Sequence, residues 1–385
     1  MYAKVGLSRI VGRGVVTSDY EFDPKKEPYA HRRRIDWTWT GDFDAGAQLV
    51  VKTLTDVTDY PDLVARLARK TAAAEKGSAS EVDHDDEEEE QEEGAVYGVD
   101  EARADLFMSR GELEKILGRL RSRKNLILQG PPGVGKTFVA LRLAYLAIGR
   151  KAPGHVTTVQ FHPSYAYEDF VQGYRPAESG AFARSDGPFL RICQRALQDP
   201  AEPYVLVIDE INRAHLGKVF GELIMLIEAD KRSPEYAVTL AYARPEEKPF
   251  HIPPNLLVIA TMNTADRSLA MVDYAMRRRF GFYELHPAFA DQSFEDFLRS
   301  RGVSATLLKA IRERVAKVNQ MIHDDPVLGS GYAIGHSFFC DVPSTPTDDW
   351  LSEIIERDLE PLLREYWIDR PEVVERALGH LEGNA

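Results

Sequence analysis

Gly130-Pro131-Pro132-Gly133-Val134-Gly135-Lys136-Thr137 decides the fold. It fits G-x-x-x-x-G-K-[ST], a glycine-rich loop whose backbone N–H groups converge on phosphate oxygens. Both flanks have the right character. Asn125-Leu126-Ile127-Leu128-Gln129 is a short apolar run ended by a turn, as a parallel strand buried on both faces should be. Phe138 to Ile148 is apolar enough for a mostly buried helix. Strand, loop and helix N-terminus in that order build an anion site, because the helix dipole adds to the loop amides. The spacing predicts nucleotide binding by Gly130, Pro131, Pro132, Gly133, Val134, Gly135, Lys136, Thr137 and Phe138. Lys136 reaches the β- and γ-phosphates, and Thr137 ligates Mg²⁺.

Tyr204-Val205-Leu206-Val207-Ile208-Asp209-Glu210 is the second anchor, an apolar strand ending in two acids. Asp209 is placed to hold Mg²⁺ and Glu210 to orient and activate the attacking water. Leu256-Leu257-Val258-Ile259-Ala260-Thr261 is another buried strand, ending at Met262-Asn263-Thr264-Ala265-Asp266-Arg267-Ser268. Asn263 at such a tip can hydrogen-bond the water or the γ-phosphate. Asn263 to Asp266 also mimics the N-K-x-D guanine reader of small GTPases. The Lys is missing, and a strand tip beside the acidic strand faces the γ-phosphate rather than the base. Met276-Arg277-Arg278-Arg279-Phe280 then precedes a strand, Phe280 to Leu285. A charge run is ordinarily a solvated face. Its place after the other motifs favours an arginine finger that reaches a neighbouring subunit's γ-phosphate.

Around this centre, the 385 residues suggest two or three domains, and 44% apolar content can bury a sizeable core. The net charge is −13, but residues 81–93 hold ten acids and no Lys or Arg. Setting those ten aside leaves −3, so an acidic total does not exclude a nucleic-acid partner. Cys193 and Cys340 are too few for a disulfide framework. There is no signal peptide and no apolar run near 18 residues, which predicts a soluble, cytoplasmic protein without a membrane contact. The expected division is a β-rich N-terminal module over 1–70, an acidic disordered linker over 71–95, a nucleotide-binding domain over 96–288 and a helical lid over 289–385. The fold class is α/β, a parallel sheet flanked by helices.

Within the first module, Val5 to Gly12 reads as a strand with glycine ends, and alternation at Ile35, Trp37 and Trp39 gives a strand one apolar face. His31-Arg32-Arg33-Arg34 precedes it. Two readings stay open. Arg32, Arg33 and Arg34 contact DNA phosphates with Trp37 near a base, or they form a charged edge over a small core. The segment resembles part of the PUA-like (EVE-type) modified-base readers, which carry a similar glycine-rich strand followed by His-Arg-Arg and Trp. Farther on, Glu101 to Arg121 reads as helical, with Ser109 three residues before Glu112 as a candidate capping box. Val219, Phe220, Leu223, Ile224 and Ile227 have helical spacing. Glu246-Glu247-Lys248 has the acid-x-Lys look of a nuclease strand, but Pro245 and Pro249 argue for a loop. Cleavage, if any, is expected from a partner.

Glycine loop, acidic strand, strand-tip Asn, arginine cluster and helical lid, in that order, resemble an AAA+ module. Phe161-His162-Pro163-Ser164-Tyr165-Ala166-Tyr167-Glu168-Asp169-Phe170, Asp209-Glu210-Ile211-Asn212-Arg213-Ala214 and Met262 to Ser268 narrow the resemblance. Together with Arg277 to Phe280 they resemble McrB, the GTPase motor subunit of modification-dependent (type IV) restriction systems, over about residues 100–340. The resemblance implies Asn263 as first sensor and Arg278 as the finger. It implies Arg213, Asp266, Arg267, Asp273, Arg277 and Arg279 at the subunit interface. It further implies a hexameric ring, GTP with Mg²⁺, modified double-stranded DNA and a McrC-type nuclease subunit. The alternative is an ATP-driven, MoxR-like machine that remodels proteins, and a non-catalytic nucleotide-binding scaffold is a third reading. The phosphate-site residues are common to the first two.

Overall fold

A computed structural model describes residues 2–5, 9–17, 21–22, 31–32, 35–44, 94–176, 181–266 and 274–383. Arg33, Arg34, Arg267, Asp273 and nearly all of the acidic linker lie outside the described residues. The chain divides into two units, Met1–Glu92 and Glu93–Ala385.

In the first unit, β1 (Tyr2–Val5), β2 (Arg9–Val16) and β5 (Ile35–Asp44) form an antiparallel sheet in the order β1-β2-β5, and β3 (Glu21–Phe22) pairs with β4 (His31–Arg32). The single strand expected over Val5 to Gly12 is therefore shared between two antiparallel strands. Pairing shifts register on either side of Gly12-Arg13, where glycines suit bulges. Trp37 stands opposite Gly14, and Arg32 opposite Glu21.

In the second unit, the helical stretch expected over Glu101 to Arg121 is α1 (Val99–Asp105) and α2 (Arg110–Arg123), with the expected capping box at the start of α2. The break has a local cause. Leu106 turns to extended backbone and buries its side chain, and Ser109 then caps α2 by accepting from the Glu112 N–H, with the Glu112 carboxylate returning to the Ser109 N–H. Lys124 ends α2 with φ +62.

β6 (Asn125–Gly130) enters the sheet next and leads through the glycine loop into α3 (Lys136–Ile148), which Gly149 stops at φ +89. β7 (Val156–Gln160), α4 (Tyr167–Phe170), the hairpin of β8 (Gln172–Pro176) and β9 (Phe182–Asp186), α5 (Pro188–Gln198) and β10 (Tyr204–Asp209) follow. The helical run after β10 breaks at Gly221, with φ +50, into α6 (Leu216–Phe220) and α7 (Leu223–Leu226). β11 (Leu256–Asn263), α8 (Tyr274–Arg279) and β12 (Gly281–Glu284) complete the core.

The five strands run parallel in the order β12-β6-β11-β10-β7. Side-chain alternation sorts them onto two cores. Leu126, Leu128, Val205, Val207, Leu257 and Ile259 face α1, α2 and α3. Ile127, Leu206, Ile208, Val258 and Ala260 face a cluster containing Phe161, Phe170, Phe189 and Phe220. This is why the strands read as continuous apolar runs. The lid is α9 (Gln292–Ser300), α10 (Ala305–Asp324), α11 (Asp348–Ile354), α12 (Glu360–Tyr366) and α13 (Pro371–Glu382) around a third core that includes Phe294, Phe339, Leu363 and Trp367. Among the described residues no helix is long and apolar enough to cross a membrane.

Candidate functional site

Parallel strands deliver their C-terminal ends to one edge of the sheet, and the register brings the motifs together there. Asn263 lies opposite Gly130, and Ile208, one residue before Asp209, lies opposite Ala260, one residue before Thr261. Gly133 (φ +75) and Gly135 (φ +69) take the left-handed backbone that the loop needs. The loop is also closely backed. A Cβ on Gly130 would meet the Leu285 carbonyl at 2.7 Å, and one on Gly133 would meet the Phe338 ring at 2.5 Å.

The Lys136 ammonium donates to the Gly130 and Pro131 carbonyls at 3.2 and 2.9 Å, curling over the loop. Burial pulls its pKa below the ordinary lysine value, against the opposing pull of Glu210, Asp209 and Asp266. The Thr137 hydroxyl donates to Asp209 Oδ1 at 2.8 Å. A hydroxyl and a carboxylate in contact, both hard oxygen donors, are a set that fits Mg²⁺. The cradle and this oxygen pair thus suit a Mg²⁺–nucleoside triphosphate.

Glu210 has φ +54, a left-handed conformation costly for a residue with a Cβ. Thr261 holds it. The buried Thr261 hydroxyl accepts from the Glu210 N–H at 3.0 Å and donates to Asp209 Oδ1 at 2.6 Å. Burial raises the Glu210 carboxyl above its usual range. Arg213 and Lys136 oppose this, while Asp209 and Asp266 add to it. Arg213 touches both acids, Glu210 Oε2 and Asp266 Oδ2, at 3.4 Å each. Arg213 and Asp266, which the resemblance assigns to the subunit interface, thus also meet inside one chain. Asn263 Oδ1 accepts from the Ala265 N–H at 3.2 Å, and the Asn263 carbonyl accepts from Asn212 at 3.4 Å.

The three arginines of α8 differ. Arg279 pairs with Glu228 at 2.9 Å, and its carbonyl accepts from buried Asn125 at the base of β6. Arg277 lies over the Phe282 ring at 5.8 Å. Arg278 is exposed, and among the described residues its guanidinium makes no ion pair. Its carbonyl accepts from Arg123 at 3.4 Å. Phe138 is half exposed, with Arg142 stacked 4.0 Å from its ring centre. Glu247 lies in a loop, where it holds Arg184 at 2.7 Å and accepts the Arg244 N–H at 3.1 Å.

Two features of the site had no sequence motif to announce them. Thr261 was a polar residue closing an apolar run, and that position beside the acidic strand was its only signal. The other is the lid's grip on the loop. The Gly335 N–H donates to the Pro132 carbonyl at 3.1 Å and the Ser337 N–H to the Gly133 carbonyl at 2.7 Å. These bonds use loop carbonyls and leave loop amides for an anion. His336 between them is buried and accepts the Ala288 N–H at 3.0 Å on Nδ1.

Comparison with known proteins agrees with this geometry. The family model of the AAA domain (dynein-related subfamily) matches residues 125–280, and that of the McrB alpha-helical lid domain matches 310–375. A domain of unknown function (DUF8426) matches residues 2–61. The type IV methyl-directed restriction enzyme EcoKMcrB subunit of Escherichia coli (strain K12) is 49% identical over 279 residues, covering 71% of this chain and 61% of that protein. The type II restriction enzyme BsuMI component YdiS of Bacillus subtilis (strain 168) is 28% identical over 222 residues, covering 48% of this chain and 64% of that protein. The chain thus spans less than two thirds of the length of either relative. The AAA module, the lid and the phosphate-site geometry agree: the chain is an AAA+ protein that carries an McrB-type helical lid.

Proposed function

We propose that this protein is a GTP-hydrolysing ring motor of a McrBC-like restriction system, acting on modified double-stranded DNA beside a separate nuclease subunit. The observation that supports it best is the meeting of Lys136, Thr137, Asp209, Glu210 and Asn263 at adjoining strand ends. In this reading the triphosphate lies on the loop amides. Lys136 exchanges the Gly130 and Pro131 carbonyls for the β- and γ-phosphates. Thr137 and Asp209 would hold Mg²⁺, which when bound offsets charge on the phosphate oxygens. Glu210, poised by Thr261 and Arg213, orients the water and takes its proton. Asn263 holds the water or the γ-phosphate from the neighbouring strand.

Arg278 acts in trans. It is the one of the three arginines without an intramolecular ion pair or ring contact among the described residues, which suits a group reserved for the next subunit of a hexameric ring. Arg213, Asp266, Arg267, Asp273, Arg277 and Arg279 support that junction. The N-terminal sheet is the proposed DNA-contacting module, with Arg32, Arg33 and Arg34 on phosphates and Trp37 near a base. The nuclease partner is of the McrC type, and the assembly works in the cytoplasm.

The test is a hydrolysis panel of GTP and ATP with Mg²⁺, on the full chain, with and without its nuclease partner. Wild type should prefer GTP, and Glu210→Gln should bind nucleotide while turnover falls roughly 10²-fold or more. Equal or better use of ATP would overturn the GTP reading and favour protein remodelling.

A further inference from the structure

A nucleotide can run along the loop in one direction only. β10 and β11, which carry Asp209, Glu210 and Asn263, lie on one side of β6, and β12 lies on the other. A γ-phosphate facing Glu210 sends the base toward β12. A cleft opens there, lined by Met108, Val134, Val139, Leu285, Asp291 and His336 among others. Its aliphatic walls suit the faces of a flat ring, and it begins on the phosphate loop itself, at Val134.

The polar groups at this cleft are not equivalent. Glu112 lines it, but its Oε2 is held by the Ser109 N–H at 2.9 Å and the Ser109 hydroxyl at 2.6 Å, and the Tyr283 hydroxyl stands 3.5 Å from Oε1. Asp291 stands at the N-cap of α9 without making a cap hydrogen bond, and among the described residues its carboxylate has no hydrogen-bond or ion-pair partner. Burial and the neighbouring Glu112 raise its carboxyl above the ordinary aspartate range, so it is partly withdrawn from water. His336 Nδ1 accepts the Ala288 N–H, which puts the ring proton on Nε2. Nε2 has no partner among the described residues, so His336 offers the cleft a donor. One turn fixes both groups, since the Asp291 N–H donates to the Ala288 carbonyl at 2.9 Å.

We propose that this cleft is the base subsite and that Asp291 selects guanine by accepting from its N1–H and N2–H₂, with His336 Nε2–H directed to guanine O6 or N7. This rests on the GTP reading above. A carboxylate matches two adjacent donors with its two oxygens. Adenine presents a lone pair at N1 and no amino group at C2, so the same carboxylate repels it. Asp291 lies at the exposed rim and makes no cap bond, so replacing it leaves the fold standing.

The experiment measures equilibrium affinities of the full chain for the non-hydrolysable imido analogues of GTP, ITP and ATP by titration calorimetry. Wild type should rank GTP above ITP, which lacks the 2-amino group, and ITP above ATP. Asp291→Asn should weaken GTP binding roughly 10- to 100-fold, shrink the GTP-to-ITP gap and leave ATP unweakened. Asp291→Ser, a good N-cap, should behave the same way, which separates base reading from helix capping. A wild type that prefers GTP, with an unchanged GTP-to-ATP ratio in Asp291→Asn, would overturn the assignment and leave the GTP reading intact. The same holds if Glu284→Gln alone moves that ratio, because Glu284 also lines the cleft. A wild type that binds ATP as tightly as GTP would sink both together.

Discussion

Thr261→Val removes one oxygen and keeps the shape of the side chain. Two hydrogen bonds go with that oxygen. The 2.6 Å bond to the Asp209 carboxylate is charge-assisted, worth about 1.5–3 kcal/mol. The Glu210 N–H loses its acceptor, at a cost of about 1–3 kcal/mol if it stays dry. Asp209 keeps Thr137, so the expected stability loss is nearer the lower sum, about 2.5 kcal/mol. The effect on turnover is larger than stability alone suggests. Glu210 sits at φ +54, and with its N–H released the backbone relaxes toward ordinary values and carries the carboxylate away. A displacement of about 1 Å at a reacting group costs on the order of 10²-fold. Nucleotide affinity should change far less than turnover, because the loop and Lys136 are untouched. Thr261→Ser keeps both bonds and should restore turnover, with only about 1 kcal/mol lost from the missing methyl. The assay is steady-state hydrolysis with nucleotide titration and thermal unfolding on all three proteins. Wild-type turnover in Thr261→Val, or Ser as slow as Val, would refute the positioning argument.

Arg278→Ala subunits should bind nucleotide but not hydrolyse it. When mixed with Lys136→Ala subunits they should recover activity above either parent, since one donates the finger and the other the intact site; mixed rings that stay inactive at every ratio would refute the trans role. Burial holds the His336 pKa down to about 4, against 6.5 when unfolded, so the stability it permits is complete above about pH 6.5 and is lost as pH falls toward 4. The loss reaches roughly 3 kcal/mol, and His336→Asn should flatten that part of the profile in unfolding experiments; an unchanged slope would exclude His336 as its source. Replacing Arg32, Arg33 and Arg34 with Ala should weaken DNA binding and flatten its salt dependence while leaving DNA-free hydrolysis unchanged. An unaltered salt slope would favour the structural reading of that edge.

The centre of the fold was legible because parallel strands buried on both faces must be apolar throughout, and because phosphate binding needs glycines at fixed spacing. Leu126 to Leu128, Val205 to Ile208 and Leu257 to Ala260 all read correctly for that reason. The Ser109–Glu112 capping box was legible as the start of α2, but the end of α1 was not, because no Gly or Pro marks it. The α1–α2 break at Leu106 to Ser109 interrupts a stretch with good helix formers on both sides, and burial of Leu106 decides it. Val5 to Gly12 failed differently, because strand composition does not say where a chain reverses. Thr261 and the lid contacts escaped because their roles depend on partners more than 50 residues away. Sequence spacing also could not separate Arg277, Arg278 and Arg279; Glu228, from a loop elsewhere in the chain, sets Arg279 apart, and the Phe282 ring sets Arg277 apart.

The lid's grip on the phosphate loop is made of backbone alone. A Cβ on Gly335 would fall 1.9 Å from the Gly133 carbonyl carbon, so this joint admits no side chain on the lid side. Two consequences follow. Rotation of the lid must either break the bonds to the Pro132 and Gly133 carbonyls or carry those peptides with it, so lid motion and amide orientation are mechanically a single coordinate. The loop is also stiffened before any anion arrives, because flipping either peptide would forfeit its lid partner, and the entropy of ordering the cradle is spent during folding rather than at binding. Side-chain changes around the joint leave this coupling in place. Gly335→Ala does not, and it would loosen the loop from a position that touches no phosphate.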